Sequence, residues 1–329
     1  MRVAYVARYG PPEVVELREV PAPEPKSGEI RVRVLATAVT AADWRVRSGA
    51  LPRGFSALRG PALGFRGPRK AVLGTDAAGL VDAVGAGVTR FNIGDPVLAF
   101  PGIAMGAHAD FLVLPANGRV VLKPPNLTFE EAVSLPFGAM TALDFLRRGQ
   151  LRAGERVLVN GASGNVGTAC VQIAKHRNAH VTGVCSAANA ALVRSLGADE
   201  VIDYATTDFA AGSGPYDIVV DTVGNAPYSR VVPVLARGGR LLAVLADLRA
   251  MLSAAFVGRA RNHRVIAGPA AERIEDLAHL AQLAVSQALK PVIDQRFTFE
   301  RIVDAYRLVD AGRKRGSVVV ALDPRAAER

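Results

Sequence analysis

The 329-residue sequence predicts an α/β protein built around a doubly wound parallel sheet. Three observations support this class. Strand-like and helix-like segments alternate from residue 156 to residue 268, and the strand segments are nearly continuous runs of Val, Ile and Leu, as in sheets that are buried on both faces. A glycine-rich loop, NGASGNVG at 160–167, lies between the first of these strands and the next helix. The flanking segments have a different pattern, which predicts a second domain.

The first 120 residues are rich in strand patterns. Alternating or β-branched residues occur at 3–9, 14–20 and 29–39, with Pro- and Gly-containing clusters between them. Helical character begins at about residue 126, where Thr128 stands three residues before Glu131 as in a capping box. Pro136 should divide this helical stretch, because proline cannot donate the hydrogen bond that a helix interior requires.

The alternating region predicts six strands of one parallel sheet, at 156–160, 180–184, 200–204, 217–223, 240–246 and 264–268. Helices are predicted between them at 168–177, 189–197 and 228–238. The C-terminal portion returns to a mixed pattern, with helices predicted at 272–289 and 300–312 and extended segments at 292–299 and 317–322.

The composition excludes several classes of function. Forty Lys and Arg against 30 Asp and Glu give a formal charge of +10, but the basic patches at 66–70, 258–264 and 312–315 are scattered and contain no interleaved aromatic residues. We therefore expect solvated surface and no nucleic-acid partner, with a local role in attracting a phosphorylated cofactor. No apolar run approaches the roughly 18–20 residues that cross a membrane, and the first residues do not read as a secretory signal, so we expect a cytoplasmic protein. Cys170 and Cys185 lack disulfide or metal-ligand patterns and are interpreted as buried small residues.

The loop at 160–167 has the pattern expected for a dinucleotide. Ala162, Gly164 and Gly167 form A-x-G-x-x-G between a strand and a helix. Glycine at 164 lets the backbone approach a pyrophosphate, and glycine at 167 lets the helix pack closely on the strand. Ser163, Asn165 and Val166 complete the loop, and the helix N-terminus supplies amide donors and partial positive charge.

The end of the second strand of the alternating region indicates which dinucleotide is bound. An NAD site usually has a carboxylate there for the ribose hydroxyl, but residues 185–189 are Cys-Ser-Ala-Ala-Asn. Ser186 and Asn189 can donate hydrogen bonds to a 2′-phosphate, and Arg194 and Tyr204 are further candidates. The sequence therefore favours NADPH, although an uncharged pocket also admits NADH.

Several motifs together resemble the medium-chain dehydrogenase/reductase superfamily, in particular its zinc-independent quinone oxidoreductase and enone reductase branch. They lie at 38–49, 72–97, 135–143, 154–167 and 195–204, so the resemblance covers nearly the whole chain. It implies a GroES-like β-barrel catalytic domain at 1–123 and 269–329 and a Rossmann domain at 124–268. It also implies a homodimer formed through the strand at 264–268.

The resemblance argues against a catalytic zinc ion. The zinc alcohol dehydrogenases of this superfamily have metal ligands at positions that are Thr40 and Thr75 here, and threonine is not a zinc ligand. Without a Lewis acid, we expect hydride transfer to an activated acceptor, either a quinone or the β-carbon of an α,β-unsaturated carbonyl compound. Thr40 and Asp43 are the catalytic candidates, although Asp43 is more often structural in this family.

The resemblance also implies roles for residues around the cleft. Thr141, Val223 and Leu245 are expected against the cofactor, and segments 51–70 and 247–264 are expected at the cleft mouth. Four aromatic residues are candidates for an apolar substrate wall, although each equally fits a role in the core: Trp44, Phe55, Phe65 and Phe137. Asp76 is interpreted as a buried structural carboxylate paired with an arginine.

Two other functions remain open. A zinc-free alcohol dehydrogenase or ketone reductase would need Thr40 or another hydroxyl to protonate the carbonyl oxygen. A low-turnover NADPH-binding protein used in redox sensing or assembly would bind the cofactor without rapid reaction. A hydrolytic triad has little support, because His108 and His263 have no Ser or Cys nucleophile in a strand-turn-helix context.

Overall fold

The computed structural model describes residues 1–212, 214–254 and 262–323. The β-strands within these residues are β1 (Arg2–Val6), β2 (Val15–Glu19), β3 (Glu29–Val39), β4 (Ala77–Val84), β5 (Pro96–Ala99), β6 (Phe111–Pro115), β7 (Val120–Leu122), β8 (Arg156–Asn160), β9 (His180–Cys185), β10 (Glu200–Asp203), β11 (Tyr216–Asp221), β12 (Leu235–Ala243), β13 (Arg264–Ile266), β14 (Ile293–Thr298) and β15 (Ser317–Ala321). The α-helices are α1 (Ala41–Ser48), α2 (Arg59–Leu63), α3 (Phe129–Val133), α4 (Pro136–Arg148), α5 (Asn165–His176), α6 (Ala190–Ser195), α7 (Tyr228–Val231), α8 (Leu248–Ser253), α9 (Ile274–Val285) and α10 (Ile302–Asp310).

The central sheet has the predicted doubly wound topology. Its strand order is β10-β9-β8-β11-β12-β13, and every neighbouring pair is parallel. The prediction of a parallel six-stranded sheet is confirmed. The order in which strands are added to the sheet reverses between β8 and β11, where Asn160 lies opposite Asp221. In doubly wound sheets, ligands bind in the crevice at the carboxyl ends of such strands.

The second large sheet joins the two ends of the chain. Its order is β14-β15-β3-β4-β5-β7, and β6 also pairs with β3. β15 pairs antiparallel with β3, so that Val318 faces Val39, and β14 adds in parallel to β15. The C-terminal strands therefore complete a sheet that the N-terminal third begins, as the domain prediction requires. The domain boundaries themselves stay a prediction.

One hydrophobic core connects the two sheets. It contains Leu98 of β5 and Phe100 just after it, Phe145 from α4, and Val157 and Val159 from the central sheet. Residues of α3 and α4 belong to the same core, so the crevice between the two sheets lies on a continuous packed interior. Cys170 and Cys185 are both buried, as predicted.

The start of α4 follows the prediction. Thr128 and Glu131 form a capping box at the N-terminus of α3, with the Glu131 N–H donating to the Thr128 hydroxyl and the Thr128 N–H donating to the Glu131 carboxylate. Pro136 then begins α4 as its first residue, a position that needs no N–H donor.

The predicted helix at 228–238 is largely wrong. Only α7 (Tyr228–Val231) is helical, and β12 already begins at Leu235 and pairs with Tyr216 of β11. Pro233 cannot donate within a helix, and Gly238 has a φ of +80°, which is outside the helical region. Local residues therefore ended the helix, and pairing with β11 lengthened the strand.

Helix α1 (Ala41–Ser48) was not predicted, because its sequence has weak apolar periodicity. The residues at its two ends nevertheless have the sequence pattern of a helix start and a helix end. Thr40 and Asp43 form a capping box at its start, and Gly49 follows it with a φ of +69°. The side chain of Arg47 is fully buried and pairs with Asp310 of α10 at 2.5 Å, which ties α1 to the helix between β14 and β15. Within the part of the chain that the structure describes, no helix is long and apolar enough to span a membrane.

Candidate active site

The glycine-rich loop leaves a helix N-terminus open toward the crevice. Gly164 is the N-cap of α5, and no side chain caps the helix there. The first amide groups of a helix have no intrahelical partners, so these N–H groups are available to an anion. A Cβ atom placed on Gly164 would have only the Gly161 carbonyl oxygen within 4 Å, at 3.5 Å, so the space beside Gly164 is open. The loop at 160–167, called the phosphate loop below, therefore fits a diphosphate.

Gly167 has a different role in the same loop. A Cβ atom at this position would lie 2.0 Å from the Gly161 carbonyl oxygen and 2.8 Å from the Ala162 Cα atom. The first turn of α5 thus packs directly on the loop backbone, as predicted for this glycine. Gly161, which the prediction did not single out, has a φ of +82°. The Asn-Gly pair at 160–161 is the sequence signal for that conformation.

The C-terminal segment before β15 (Ser317–Ala321) lies against the loop. The Gly316 N–H donates to the Ser163 carbonyl oxygen at 2.9 Å, and Gly316 forms an isolated parallel bridge with Gly164. The Lys314 ammonium group donates to the Gly316 carbonyl oxygen at 2.6 Å. Burial lowers the pKa of Lys314 to about 8, with Asp294 opposing the change. The basic cluster at 312–315 therefore does place one cation beside the phosphate loop.

Strands β9 and β10 place the predicted adenosine-end residues beside the loop. Asn189 donates from Nδ2 to the Ser163 hydroxyl oxygen at 3.1 Å, which brings the segment from Ser186 to Asn189 against the loop. The Tyr204 N–H donates to the Cys185 carbonyl oxygen at 3.2 Å, and the Tyr204 side chain is 64% exposed. The location is the one expected for an adenosine ribose.

Two charged side chains affect this end of the site. Burial raises the pKa of the Cys185 thiol, Asp203 raises it further, and Arg194 lowers it, so both charges are close to the strand end. Asp203 is the register partner of Cys185 in β10. Sequence reasoning looked for a carboxylate only at residues 185–189, at the end of β9, and missed Asp203 on the neighbouring strand. Its Oδ1 atom accepts from the Ala205 N–H at 3.0 Å, within its own turn.

Thr40 and Thr75 form a buried pair of hydroxyl groups. Their oxygen atoms are 3.3 Å apart. The Thr40 hydroxyl donates to Asp43 Oδ2 at 2.7 Å, and the Thr75 hydroxyl is 2.5 Å from Asp76 Oδ2. A row of four polar side chains, called the polar array below, thus runs from Asp43 through both hydroxyls to Asp76. Asp43 also accepts from the Gly74 N–H at 2.8 Å, so it fixes the turn that carries Thr75.

The predicted pairing of Asp76 with an arginine is wrong. The Asp76 side chain is fully buried, and it contacts the Thr75 hydroxyl and the Phe137 N–H, the latter at 2.9 Å. Burial raises the pKa of Asp76 to about 8, and the Asp43 and Glu272 carboxylates add to the rise against the two hydrogen bonds. Asp76 is therefore largely protonated at neutral pH.

The first turn of α4 connects the hydroxyl pair with the phosphate loop. Its Phe137 N–H binds Asp76, and the Thr141 hydroxyl donates to the Phe137 carbonyl oxygen at 2.9 Å. A Cβ atom on Gly138 would lie 1.9 Å from Asn165 Oδ1, so this turn packs tightly on the start of α5. Thr141 and Thr40 therefore belong to one contiguous region next to the phosphate loop.

A cavity of about 850 Å³ lies between α1 and the carboxyl ends of β11 and β12. Trp44, Leu51 and Pro52 line one side, and Val223 and Leu245 line the other. Both segments predicted at the cleft mouth contribute to it, although residues 255–261 of the second segment are outside the described part of the chain. Thr40 and Thr75 are buried and are not among its lining residues; Thr40 precedes the cavity-lining Trp44 by about one helical turn.

The aromatic candidates are not gathered in one place. Trp44 lines the cavity, whereas Phe55, Phe65 and Phe137 are not among its lining residues. Phe65 is 79% exposed, and Phe137 packs against the large core. Residue type alone did not distinguish a cavity wall from a core or a surface position.

Asp221 organises the loop that carries Val223. Its carboxylate accepts from Asn160 Nδ2 and from the N–H groups of Val223, Gly224 and Ala226. These four donors give Asp221 a structural role at the topological switch point. Among the described residues, no group of three or more His, Cys, Asp or Glu side chains is arranged to hold a metal ion.

The doubly wound sheet, the open helix N-terminus and the polar array beside it define a dinucleotide-binding oxidoreductase. The chain matches the family description "Alcohol dehydrogenase GroES-like domain" at 26–125 and "Zinc-binding dehydrogenase" at 196–320. It is 31% identical to a quinone-oxidoreductase homolog of Spinacia oleracea chloroplasts, with 97% of each chain covered. It is 31% identical to the 2-methylene-furan-3-one reductase of Solanum lycopersicum, covering 95% of this chain and 76% of that one.

Comparison with a solved structure also shows similarity to a quinone oxidoreductase. The quinone oxidoreductase of Coxiella burnetii superposes with a TM-score of 0.86 at 28% identity and covers 98% of this chain and 99% of that one. The protein belongs to the medium-chain dehydrogenase/reductase superfamily, in its quinone oxidoreductase branch. The predicted combination of a GroES-like domain with a Rossmann-type domain is confirmed.

Proposed function

We propose that the protein is a zinc-independent, NADPH-dependent oxidoreductase that transfers hydride to a quinone or to the β-carbon of an α,β-unsaturated carbonyl compound. The observation that carries the proposal is the hydrogen-bonded Thr40–Thr75 pair. The resemblance aligns these two threonines with metal ligands of the zinc enzymes of the superfamily. Hydroxyl groups there provide hydrogen-bond donors in place of a Lewis acid. The names of the relatives, a quinone oxidoreductase homolog and an enone-type reductase, support this choice of acceptor.

The cofactor would be held at three places. The amides of residues 164–167 and Lys314 would bind the diphosphate, and Ser186, Asn189 and Arg194 would bind the adenosine ribose and its 2′-phosphate. Thr141, Val223 and Leu245 would contact the nicotinamide half. Asp203 lies near the 2′-phosphate position, but its engagement with the Ala205 N–H and the proximity of Arg194 reduce its repulsion of a phosphate. NADPH is therefore our preferred cofactor, and NADH remains a weaker alternative.

When bound, the reduced cofactor supplies the hydride. The chain's own contribution is to stabilise the negative charge that develops on the acceptor oxygen. We assign this role to Thr40, because it stands one helical turn before Trp44, which lines the cavity. Asp43 holds the Thr40 hydroxyl in position at 2.7 Å.

Asp76 gives the array a mobile proton. Because its pKa is raised to about 8, its carboxyl group can donate to Thr75, whose hydroxyl proton can then point to Thr40. In this arrangement the Thr40 proton can turn from Asp43 toward an acceptor oxygen without leaving an unpaired buried charge. The same proton favours one alternative, a ketone reductase, because that reaction must protonate a carbonyl oxygen.

Two further proposals concern the molecule as a whole. β13 (Arg264–Ile266) is the last strand in the order of the central sheet, where the resemblance places a homodimer contact. We propose a homodimer through this edge. A cytoplasmic location remains a prediction, and the Spinacia relative is named as chloroplastic.

The decisive experiment follows NADPH absorbance with a quinone, an enone and a saturated ketone, with and without a zinc chelator. Chelator-insensitive oxidation of NADPH by the quinone or enone is the expected result. Oxidation by the ketone alone would select the ketone reductase. Tight NADPH binding with no oxidation by any acceptor would select the low-turnover alternative. Loss of activity in chelator that zinc restores would refute zinc independence, and an equal kcat/KM with NADH would refute the cofactor preference.

A further inference from the structure

The cavity between α1 and the central sheet carries cations that the proposed reaction does not use. Three arginine side chains line it: Arg45 from α1, Arg53 from the loop after α1, and Arg249 from α8. None of the three forms an ion pair within the part of the chain that the structure describes. This distinguishes them from Arg31, Arg147 and Arg240, each of which has a carboxylate partner.

Arg45 is the most informative of the three. It is half-buried, its guanidinium group lies 6.0 Å from the centre of the Trp44 ring, and burial lowers its pKa. A partly desolvated cation without a counter-ion carries an energetic cost that a bound anion would remove. Arg45 therefore marks the position in the cavity where an anionic group would be most stabilised.

The carboxylates of the cavity do not fill this role. Asp221 already accepts four hydrogen bonds from the β11 end and the loop after it. Asp247 is the N-cap of α8, and its Oδ1 atom accepts from the Ala250 N–H at 2.7 Å. Both side chains are held by local donors, and neither lies within ion-pair distance of the three arginines among the described residues.

The diphosphate of the cofactor does not explain the arginines either. The loop at 161–167, where the diphosphate would bind, contributes no residue to the cavity lining. The remaining lining is largely apolar, including Trp44, Leu51, Pro52, Leu241, Leu245 and Val265. At about 850 Å³, the cavity is near the upper end of the range for small-molecule sites, so it has room for a nicotinamide ring against Val223 and Leu245 and for an acceptor longer than a quinone ring or a short enone.

We propose that the preferred substrates carry an anionic group, a carboxylate or a phosphate, separated by an apolar segment from the unsaturated carbonyl that is reduced. Arg45 binds the anionic group, and Arg53 and Arg249 add positive charge at the rim. The apolar lining holds the connecting segment. This inference rests on the proposed function, because it assigns a substrate class to the same cleft.

The test compares two enones of matched length, 1-nonen-3-one and 7-oxonon-8-enoic acid, which differ in having a methyl or a carboxylate at the far end. The quantity measured is the ratio of kcat/KM for the acid to kcat/KM for the neutral enone. A variant that is partly unfolded loses both values equally, so the ratio is insensitive to folding. We expect a ratio of about ten in the wild type, falling about tenfold in Arg45→Gln and less in Arg53→Gln. Arg152→Gln is the matched control, because Arg152 is exposed and far along the chain from the cavity residues.

The outcomes separate the inference from the proposed function. A ratio near one in the wild type, or a ratio that Arg45→Gln leaves unchanged, overturns the inference while turnover of the neutral enone preserves the proposed function. Failure of the wild type to reduce either enone or a quinone overturns both. A higher Kd for NADPH in Arg45→Gln, measured by nicotinamide fluorescence, together with equal losses for both enones, assigns Arg45 to a cofactor phosphate and also overturns the inference. A fall of the wild-type ratio with rising ionic strength supports it.

Discussion

The two glycines of the phosphate loop should respond to alanine in opposite ways. In Gly167→Ala, the new methyl group would lie 2.0 Å from the Gly161 carbonyl oxygen, which is a backbone atom and cannot rotate away. The start of α5 must then move by more than an ångström to restore an ordinary contact. In Gly164→Ala, the nearest atom is the same oxygen at 3.5 Å, which is an ordinary contact, and the φ of −77° suits alanine.

The expected magnitudes follow from these distances. Overpacking a tight site costs about 1–3 kcal/mol, and the rigid neighbour places Gly167→Ala at the upper end of that range. Alanine recovers about 1 kcal/mol of helix propensity, so the net loss of unfolding free energy is about 2 kcal/mol. Gly164→Ala should change stability by less than about 1 kcal/mol, since a poorer N-cap is offset by a less flexible unfolded chain. Its methyl group occupies the space open to the diphosphate, so its Kd for NADPH should rise at least tenfold.

Urea unfolding gives the stabilities, and nicotinamide fluorescence gives the Kd values. Gly167→Ala should show a lower urea midpoint and weaker binding, whereas Gly164→Ala should keep the wild-type midpoint and lose affinity. A wild-type midpoint for Gly167→Ala would contradict the close packing of α5 on the loop. Wild-type affinity in Gly164→Ala would show that the diphosphate does not approach this backbone.

Three further predictions concern the polar array and the ion pair that holds α1. Thr40→Val should lower kcat by about tenfold or more by removing one donor, while Thr40→Ser retains most of it; equal rates for both in steady-state assays would exclude Thr40 as the donor. The folded protein holds the Asp76 proton up to about pH 8, whereas the unfolded chain releases it near pH 4, so stability should fall as the pH rises between these values, by up to ~1.4 kcal/mol per pH unit. Asp76→Asn removes that component, and identical pH dependence of the urea midpoints in both proteins would contradict the burial. Asp310→Asn leaves the buried Arg47 without its counter-charge and should cost about 2 kcal/mol in urea unfolding; an unchanged midpoint would show that the pair is not stabilising.

The sequence by itself determined the class of fold and the glycine-rich loop at the centre of the proposed cofactor site. The six parallel strands were visible because a strand buried on both faces needs apolar residues at every position, whichever neighbours it has. The loop with Gly164 and Gly167 was visible because its demands are local: an open N-cap and a helix packed on its own loop. The break at Pro136 and the capping box of Thr128 are local in the same sense. Where a local rule was overlooked, as with Pro233 in the predicted helix at 228–238, the prediction failed.

Only the tertiary structure decided which charges and hydroxyls come together. Asp203 reaches Cys185 through the pairing of β9 and β10, and Lys314 reaches the phosphate loop from a segment about 150 residues later in the chain. The pKa of Asp76 depends on complete burial and on the neighbouring Asp43, neither of which a sequence pattern contains. Electrostatic interactions depend on distance and on desolvation in three dimensions, and both are set by how the two sheets pack. The sequence therefore specified the glycine-rich loop at which we propose that the cofactor binds, while the packing of the two sheets decided what surrounds that loop.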